Sequence, residues 1–183
     1  YSERAMINRI NADLANDLGN LLNRTLGMYK KYFDGIVTEG HGHEVYDDEI
    51  TALWYETLAE VDKYMNKMQF SYALEAMWKF ISRMNKYIDE TMPWSLAKEE
   101  DKKDRLETVL YNLLESIRVC ANHLTPFLTN TSKEILKQLY TTDTSLEFKE
   151  NNSYNNMKPE VLFQRIDKEK KLNPLGIKVL SLF

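Results

Sequence analysis

Asn20 and Arg24 stand four residues apart in a stretch of helical pattern, so their side chains lie one above the other on the same helix. An asparagine offers a carbonyl acceptor and an amide donor, and an arginine offers a fork of donors. Together they match a pyrimidine edge such as that of cytosine, with its exocyclic amino donor and its N3 and O2 acceptors. The same pair is also a common polar boundary pair between packed helices, and spacing alone favours that plainer role. Pro93-Trp94 follows a long helical pattern. A proline-held tryptophan at a helix end is rigid and partly exposed, which suits stacking on a splayed-out base, although most tryptophans serve the core. Trp54 and Trp78 fall within helical patterns and are expected in the core.

Other reactive side chains make weaker sets. His41 and His43 flank Gly42 on a loop with no further His or Cys nearby, a poor metal-ligand set, and no metal is expected. Glu-x-x-His, the spacing of carboxylate-bridged metal pairs in bundles, does not occur. Cys120 has no activating neighbour and reads as a small buried hydrophobe, while His123 is expected to cap helix carbonyls. There is neither a phosphate-cradling glycine loop nor a nucleophile elbow. No catalytic residue is assigned.

The elements that position these residues are helices. Ser2 can cap a first helix reaching about Phe33, with Ile7, Ile10, Leu14, Leu18, Leu21, Met28 and Tyr32 on one stripe. Arg24 lies roughly 80° and Asn20 roughly 120° from the centre of that stripe, at its flank. Gly19 and Gly27 inside the helix leave room for a backbone or a ligand to approach. Asp34-Gly35 ends the helix, and residues 38–47 read as a loop. A second helix is expected from about Asp47 and a third over about Ser71 to Glu90, stopped by Pro93. A fourth carries Leu106, Leu110, Leu113, Ile117, Cys120 and Leu124 and is closed by Pro126. Thr131-Ser-Lys-Glu134 is a capping-box pattern for a short fifth helix. Beyond Tyr140 the pattern fails, and the polar run to Lys158 reads as loop or a weakly ordered segment. The expected fold is all-α: a bundle of about five helices over residues 1–140, a loop and return segment over 141–167 packing on it, and an unassigned tail over 168–183.

The bulk numbers fit this. The chain has 183 residues, 43% hydrophobic and 28% charged, which is ample for a core without disulfides or metals. The single cysteine points to a reducing, cytoplasmic setting. Neither a membrane-spanning run nor a signal-peptide pattern occurs. The start at Tyr1, almost directly in helical pattern, is what a piece of a longer protein would show. Net charge is −4, yet nine acidic residues and no Lys or Arg lie between Asp34 and Asp62. The remainder holds 19 acidic residues against 24 basic, net +5. A positive face can therefore meet RNA phosphates while an acidic one points elsewhere. A helical scaffold using the acidic stretch to contact another protein is the rival reading.

Two segments carry a family likeness. Arg9-Ile-Asn-Ala-Asp-Leu-Ala-Asn-Asp-Leu-Gly-Asn20-Leu-Leu-Asn-Arg24 resembles the opening helix of the anticodon-binding domain of methionyl-tRNA synthetases. Asn85-x-Tyr-Ile-Asp89-x-x-x-Pro93-Trp94 is similar to the same family and, more loosely, to the leucyl, isoleucyl and valyl enzymes. Pro126 to Leu136 resembles the family's next turn and helix, with Leu128-Thr129 where a second proline often stands. Lys158 to Asp167 resembles its strand-like return segment, with Gln164 in place of proline. The resemblance covers about residues 2–167. It implies a class Ia synthetase anticodon-binding bundle in which Asn20, Arg24 and Trp94, the last held by Pro93, recognise the CAU anticodon loop of tRNA(Met), above all its first cytosine. It further implies that ATP, magnesium and methionine belong to a catalytic domain of the parent, joined in cis. The His-Ile-Gly-His and Lys-Met-Ser-Lys-Ser motifs of that domain are not in these residues, so the chain alone is expected to be non-catalytic and to need no cofactor, with neither DNA nor membrane as partner.

Overall fold

The structure is a computed structural model that describes residues 3–33, 36–40, 42, 44–150, 152–164 and 166. Ser2, the Asp34-Gly35 break, His41, His43 and the 168–183 tail lie outside the described residues.

Among the described residues the fold is five helical rods, as the periodicity predicts, and one short helix that it does not. The first rod is continuous: α1 (Glu3–Arg9), a π-helical stretch (Ile10–Leu18) and α2 (Gly19–Tyr32). The π stretch is not visible in the spacing of apolar residues, because Ile10, Leu14 and Leu18 still face the core. Next come α3 (Val45–Met65), α4 (Phe70–Thr91), the four-residue α5 (Pro93–Leu96), α6 (Lys103–Leu124) entered through a 3₁₀ turn (Glu100–Lys102), and α7 (Thr129–Gln138). α3 and α4 form a hairpin whose tight turn places Met68 at φ 57° and stacks Tyr64 on Tyr72. α6 is the central post, buried on nearly every side.

Several boundaries differ from expectation for identifiable reasons. α3 begins at Val45 because Asp47 turns back to accept the Glu44 N–H at 2.7 Å. The Thr131–Glu134 box is not used. α7 starts at Thr129, which places Thr131 and Ser132 inside the helix and buried. Trp54 is fully buried as expected, but Trp78 is only half-buried and donates from Nε1 to the Asp13 carbonyl at 3.1 Å. His123 caps no carbonyl among the described residues; it packs edge-on against Trp54 at 6.0 Å, and burial holds its pKa below the usual value. Cys120 is buried, which pushes its thiol pKa up.

The larger surprise is a polar spine inside the bundle. Asp47 is buried and accepts from Tyr87 Oη and Arg105 Nη1, both at 2.5 Å, joining α3 to α4 and α6. Burial, then the Asp47 carboxylate, drives the Tyr87 phenol upward. So the acidic stretch is not wholly a solvated face: one carboxylate is spent in the core, and Glu44 also pairs with Arg105. Farther along α6, Arg118 and Glu115 form a buried bidentate pair, with Nε to Oε2 at 3.0 Å and Nη2 to Oε1 at 2.5 Å.

That pair organises the polar segment expected to be loose. Arg118 donates to the carbonyls of Ser145 and Glu147, both at 2.6 Å, and Glu115 accepts the Lys149 N–H at 2.8 Å. Asn122 holds the Asp143 and Ser145 carbonyls, and Trp54 Nε1 holds that of Leu146. Tyr154 donates to Glu115 from the far side, and its backbone pairs with Val37 in an isolated antiparallel bridge. The chain then passes Gln138, which takes the N–H groups of Lys158 and Glu160. Leu162 is buried, Phe163 docks on the first rod, and Asn11 exchanges two 2.9 Å bonds with the Ile166 backbone. Gly19 is where Phe163 sits, since a Cβ there would come 3.1 Å from its ring; nothing lies within 4 Å of one at Gly27.

In the loop before α3, a Cβ on Gly42 would stand 2.4 Å from Arg105 Cα, with no flexible side chain to yield. Gly42→Ala is therefore expected to destabilise the protein by ~2 kcal/mol, through displacement of the loop from α6. A chemical-denaturation midpoint equal to that of the parent chain would refute this.

Candidate nucleic-acid interface

The first rod and α4 run parallel, and one sequence offset pairs them throughout. Trp78 meets Asp13, Ser82 meets Asp17 at 3.0 Å, Asn85 meets Asn20 at 3.3 Å, and Asp89 meets Arg24 at 2.5 Å. Each partner lies 65 residues beyond its mate. Both rods repeat every three to four residues on the facing side, so one register brings four consecutive pairs together. The result is a polar seam along the surface of the bundle.

Asn20 and Arg24 are half-buried at the flank of the first rod, in keeping with the wheel geometry. Arg24 pairs with Asp89, whose side chain is 63% exposed, so the ion pair is open to solvent and worth at most about 1 kcal/mol. An arginine has five N–H donors, and one bond to Asp89 leaves others to spend. Asn20 gives its Nδ2 to Asn85 Oδ1, and its own Oδ1 makes no hydrogen bond among the described residues.

Trp94 arrives from the end of α4. A residue before proline is pushed out of the right-handed helical region, and Met92 takes the left-handed one, φ 44° and ψ 61°. This conformation ends α4 with a Met92 N–H to Ile88 carbonyl bond of 3.1 Å, and the Met92 carbonyl starts α5 by accepting from Ser95 at 2.7 Å. Pro93 occupies the first position of α5, where a missing N–H costs nothing, and is buried. Trp94 next to it is 41% exposed, and its indole N–H makes no hydrogen bond among the described residues. A rigid backbone thus presents a large aromatic surface just after the end of α4, the helix that carries Asp89. Lys30 and Lys31, exposed in the last turn of α2, add positive charge along the rod that carries Arg24.

The structure brings Asn20 and Arg24 onto one seam with Asn85 and Asp89. No hydrogen bond or ion pair among the described residues ties Trp94 to either. Asn20 and Arg24 stand out in the sequence without the two residues that face them, Asn85 and Asp89. The signal was present, because Asn85 and Asp89 repeat the same four-residue spacing. A groove of about 820 Å³ opens elsewhere on the seam, over Ile10, Leu14, Leu74 and Trp78, and does not include Asn20, Arg24 or Trp94. Among the described residues no group of three or more His, Cys, Asp or Glu side chains could hold a metal ion. None of the described helices is long and apolar enough to cross a membrane.

Residues 37–173 match a family model described as the anticodon binding domain of methionyl tRNA ligase. The methionine–tRNA ligase of Caldanaerobacter subterraneus subsp. tengcongensis is 49% identical over 183 residues, covering 96% of this chain and 28% of that protein. The methionine–tRNA ligase of Fusobacterium nucleatum is 52% identical over 139 residues, covering 76% and 22%. Among solved structures, the apo form of Mycobacterium tuberculosis methionyl-tRNA synthetase superposes with a TM-score of 0.81 at 30% identity, over 91% of this chain and 35% of that one. The chain thus spans roughly a quarter of the length of these curated relatives. The family-model match includes Pro93 and Trp94 and begins beyond Asn20 and Arg24.

Proposed function

Because the chain belongs to the family of methionyl-tRNA ligase anticodon-binding domains, we propose that it reads the CAU anticodon loop of tRNA(Met), chiefly the first-position cytosine, through Asn20, Arg24 and Trp94. The observation that carries this reading is the seam itself. The two segments that resemble the synthetases, far apart in sequence, meet as Asn20–Asn85 and Arg24–Asp89, and the second of them ends in an exposed tryptophan. In a complex, Trp94 stacks on the base, with Pro93 holding its backbone. Arg24 offers donors to N3 and O2 of the cytosine, and the Asn20 carbonyl accepts from its amino group.

The parent is proposed to be a cytoplasmic ATP-dependent methionine–tRNA ligase. ATP, magnesium and methionine would be handled by its catalytic part, and this chain's share of the reaction is to bind and orient the tRNA. Within the chain, residues 1–140 are the reading bundle and 141–167 a return segment that braces it; the proposed 168–183 tail lies outside the described residues.

The test is a titration at fixed salt with an anticodon stem-loop carrying CAU and with one carrying UAU. The cytosine form is expected to bind about tenfold or more tightly, the scale of one well-made base-edge contact. Equal affinities would end the proposal of base-specific reading. The ratio is the informative quantity, because phosphate contacts contribute equally to both.

A further inference from the structure

Asn20 can read an amino group only if its amide is turned the right way, and an asparagine amide that nothing holds presents oxygen or nitrogen with little preference. The seam contains a device that decides this. Asn85 donates from Nδ2 to the backbone carbonyl of Asp17 at 3.1 Å. A backbone carbonyl can only accept, so this bond fixes the Asn85 amide with Oδ1 toward Asn20. Asn20 must answer with Nδ2, at 3.3 Å. Its Oδ1 is then left as the free polar atom of that side chain.

We infer that Asn85 is a specificity-determining positioning residue: by relaying the polarity of the Asp17 carbonyl through two amides, it makes Asn20 present an acceptor and so favours cytosine over uracil. This rests on the reading that Asn20 faces the first anticodon base. Cytosine offers an amino donor where uracil offers a carbonyl oxygen. A fixed acceptor is satisfied by the first and opposed by the second. A freely turning amide would accept from cytosine or donate to uracil with little difference. Asp17 takes no side-chain part in the relay, its carboxylate being engaged by Ser82 Oγ on the same seam. The signal is therefore set by backbone, which substitution cannot recode.

The experiment measures the ratio of affinities for CAU and UAU stem-loops, alongside the thermal midpoint, in the 183-residue chain. Asn85→Ala removes the relay and is expected to lower the cytosine-over-uracil ratio by about tenfold, mostly through tighter uracil binding. Asn85→Asp loses the bond to the Asp17 carbonyl but still accepts from Asn20, so it should melt earlier and keep the ratio. Asn20→Asp in the Asn85→Ala background presents a carboxylate, an acceptor in either orientation, and should regain the ratio at lower absolute affinity. A ratio that stays high in Asn85→Ala, or that falls with the melting temperature across the series, overturns the relay. If Asn85→Ala does not fold, Asn85→Asp and the single Asn20→Asp carry the test. Both keep an acceptor outward, and loss of preference in either overturns it. Failure of the underlying reading is separate, since the unsubstituted chain would then show no preference.

Discussion

Truncating Arg118 to alanine is expected to lower the unfolding free energy by about 3–5 kcal/mol, the usual cost of stranding one half of a buried ion pair. The guanidinium and the Glu115 carboxylate are both fully buried. Burial opposes the charge on Arg118, yet the Glu115 hydrogen bonds and charge outweigh it and hold the guanidinium pKa above its usual value. Removing Arg118 leaves the buried Glu115 carboxyl without its ion-pair partner. It also takes the donor from the Glu147 carbonyl and one of the two donors from the Ser145 carbonyl, which keeps Asn122. The loss should therefore be local as well as global. Amide exchange over 143–149 should rise first, and Trp54, bonded to the Leu146 carbonyl, should report it in fluorescence. Replacing both partners, Glu115→Gln with Arg118→Met, should cost less than Arg118→Ala alone. A loss below 1 kcal/mol in the single variant, or a double variant that is worse, would refute the spine as the organiser of this segment.

Trp94→Ala should weaken binding of a CAU stem-loop by roughly 5- to 150-fold, corresponding to ~1–3 kcal/mol for one base–aromatic stack. The thermal midpoint should barely move, because the ring is partly exposed and its N–H makes no hydrogen bond among the described residues. Trp94→Phe should recover part of the affinity, since a smaller ring still stacks. The loss should be similar for CAU and UAU loops, because stacking tolerates any base. Specificity should therefore survive Trp94→Ala even as affinity falls, the opposite of what Asn85→Ala should do. An unchanged affinity would remove Trp94 from the interface, and a large drop in melting temperature would show that its role is structural.

The rods were legible because apolar side chains repeat with the helical period whether or not their neighbours are known. What was not legible is the polar interior. Arg105, Glu115, Arg118 and Asp47 belong to residue types that normally mark solvent. Only the fold shows that α6 is enclosed on nearly all sides and must hold its charges in pairs. The segment over 141–150 reads as a loop or weakly ordered for the same reason: it is fastened from outside by Arg118, Asn122 and Trp54, and locally only by Thr141, Asp143 and Ser145, each accepting the N–H two residues on. At the candidate site, the spacing of Asn20 and Arg24 showed which face they share but not who faces them. The register between two rods depends on contacts 65 residues apart, which no local period encodes. Trp94 was found through Pro93, whose stiffness is a local property. The left-handed Met92 that aims it needed the backbone to be seen.

The parallel seam also constrains how such a chain can diverge. Four pairs share a single offset, so the seam behaves as a rack with one setting. A residue gained or lost in the turn at 66–69 changes the offset on paper and leaves every pair in place. The same event between Asp13 and Arg24, or between Trp78 and Asp89, rotates the helix by about 100° beyond it and unmates the pairs on one side of it. Length variation among descendants should therefore collect in the turns, while these two twelve-residue windows keep their length even where their residues change.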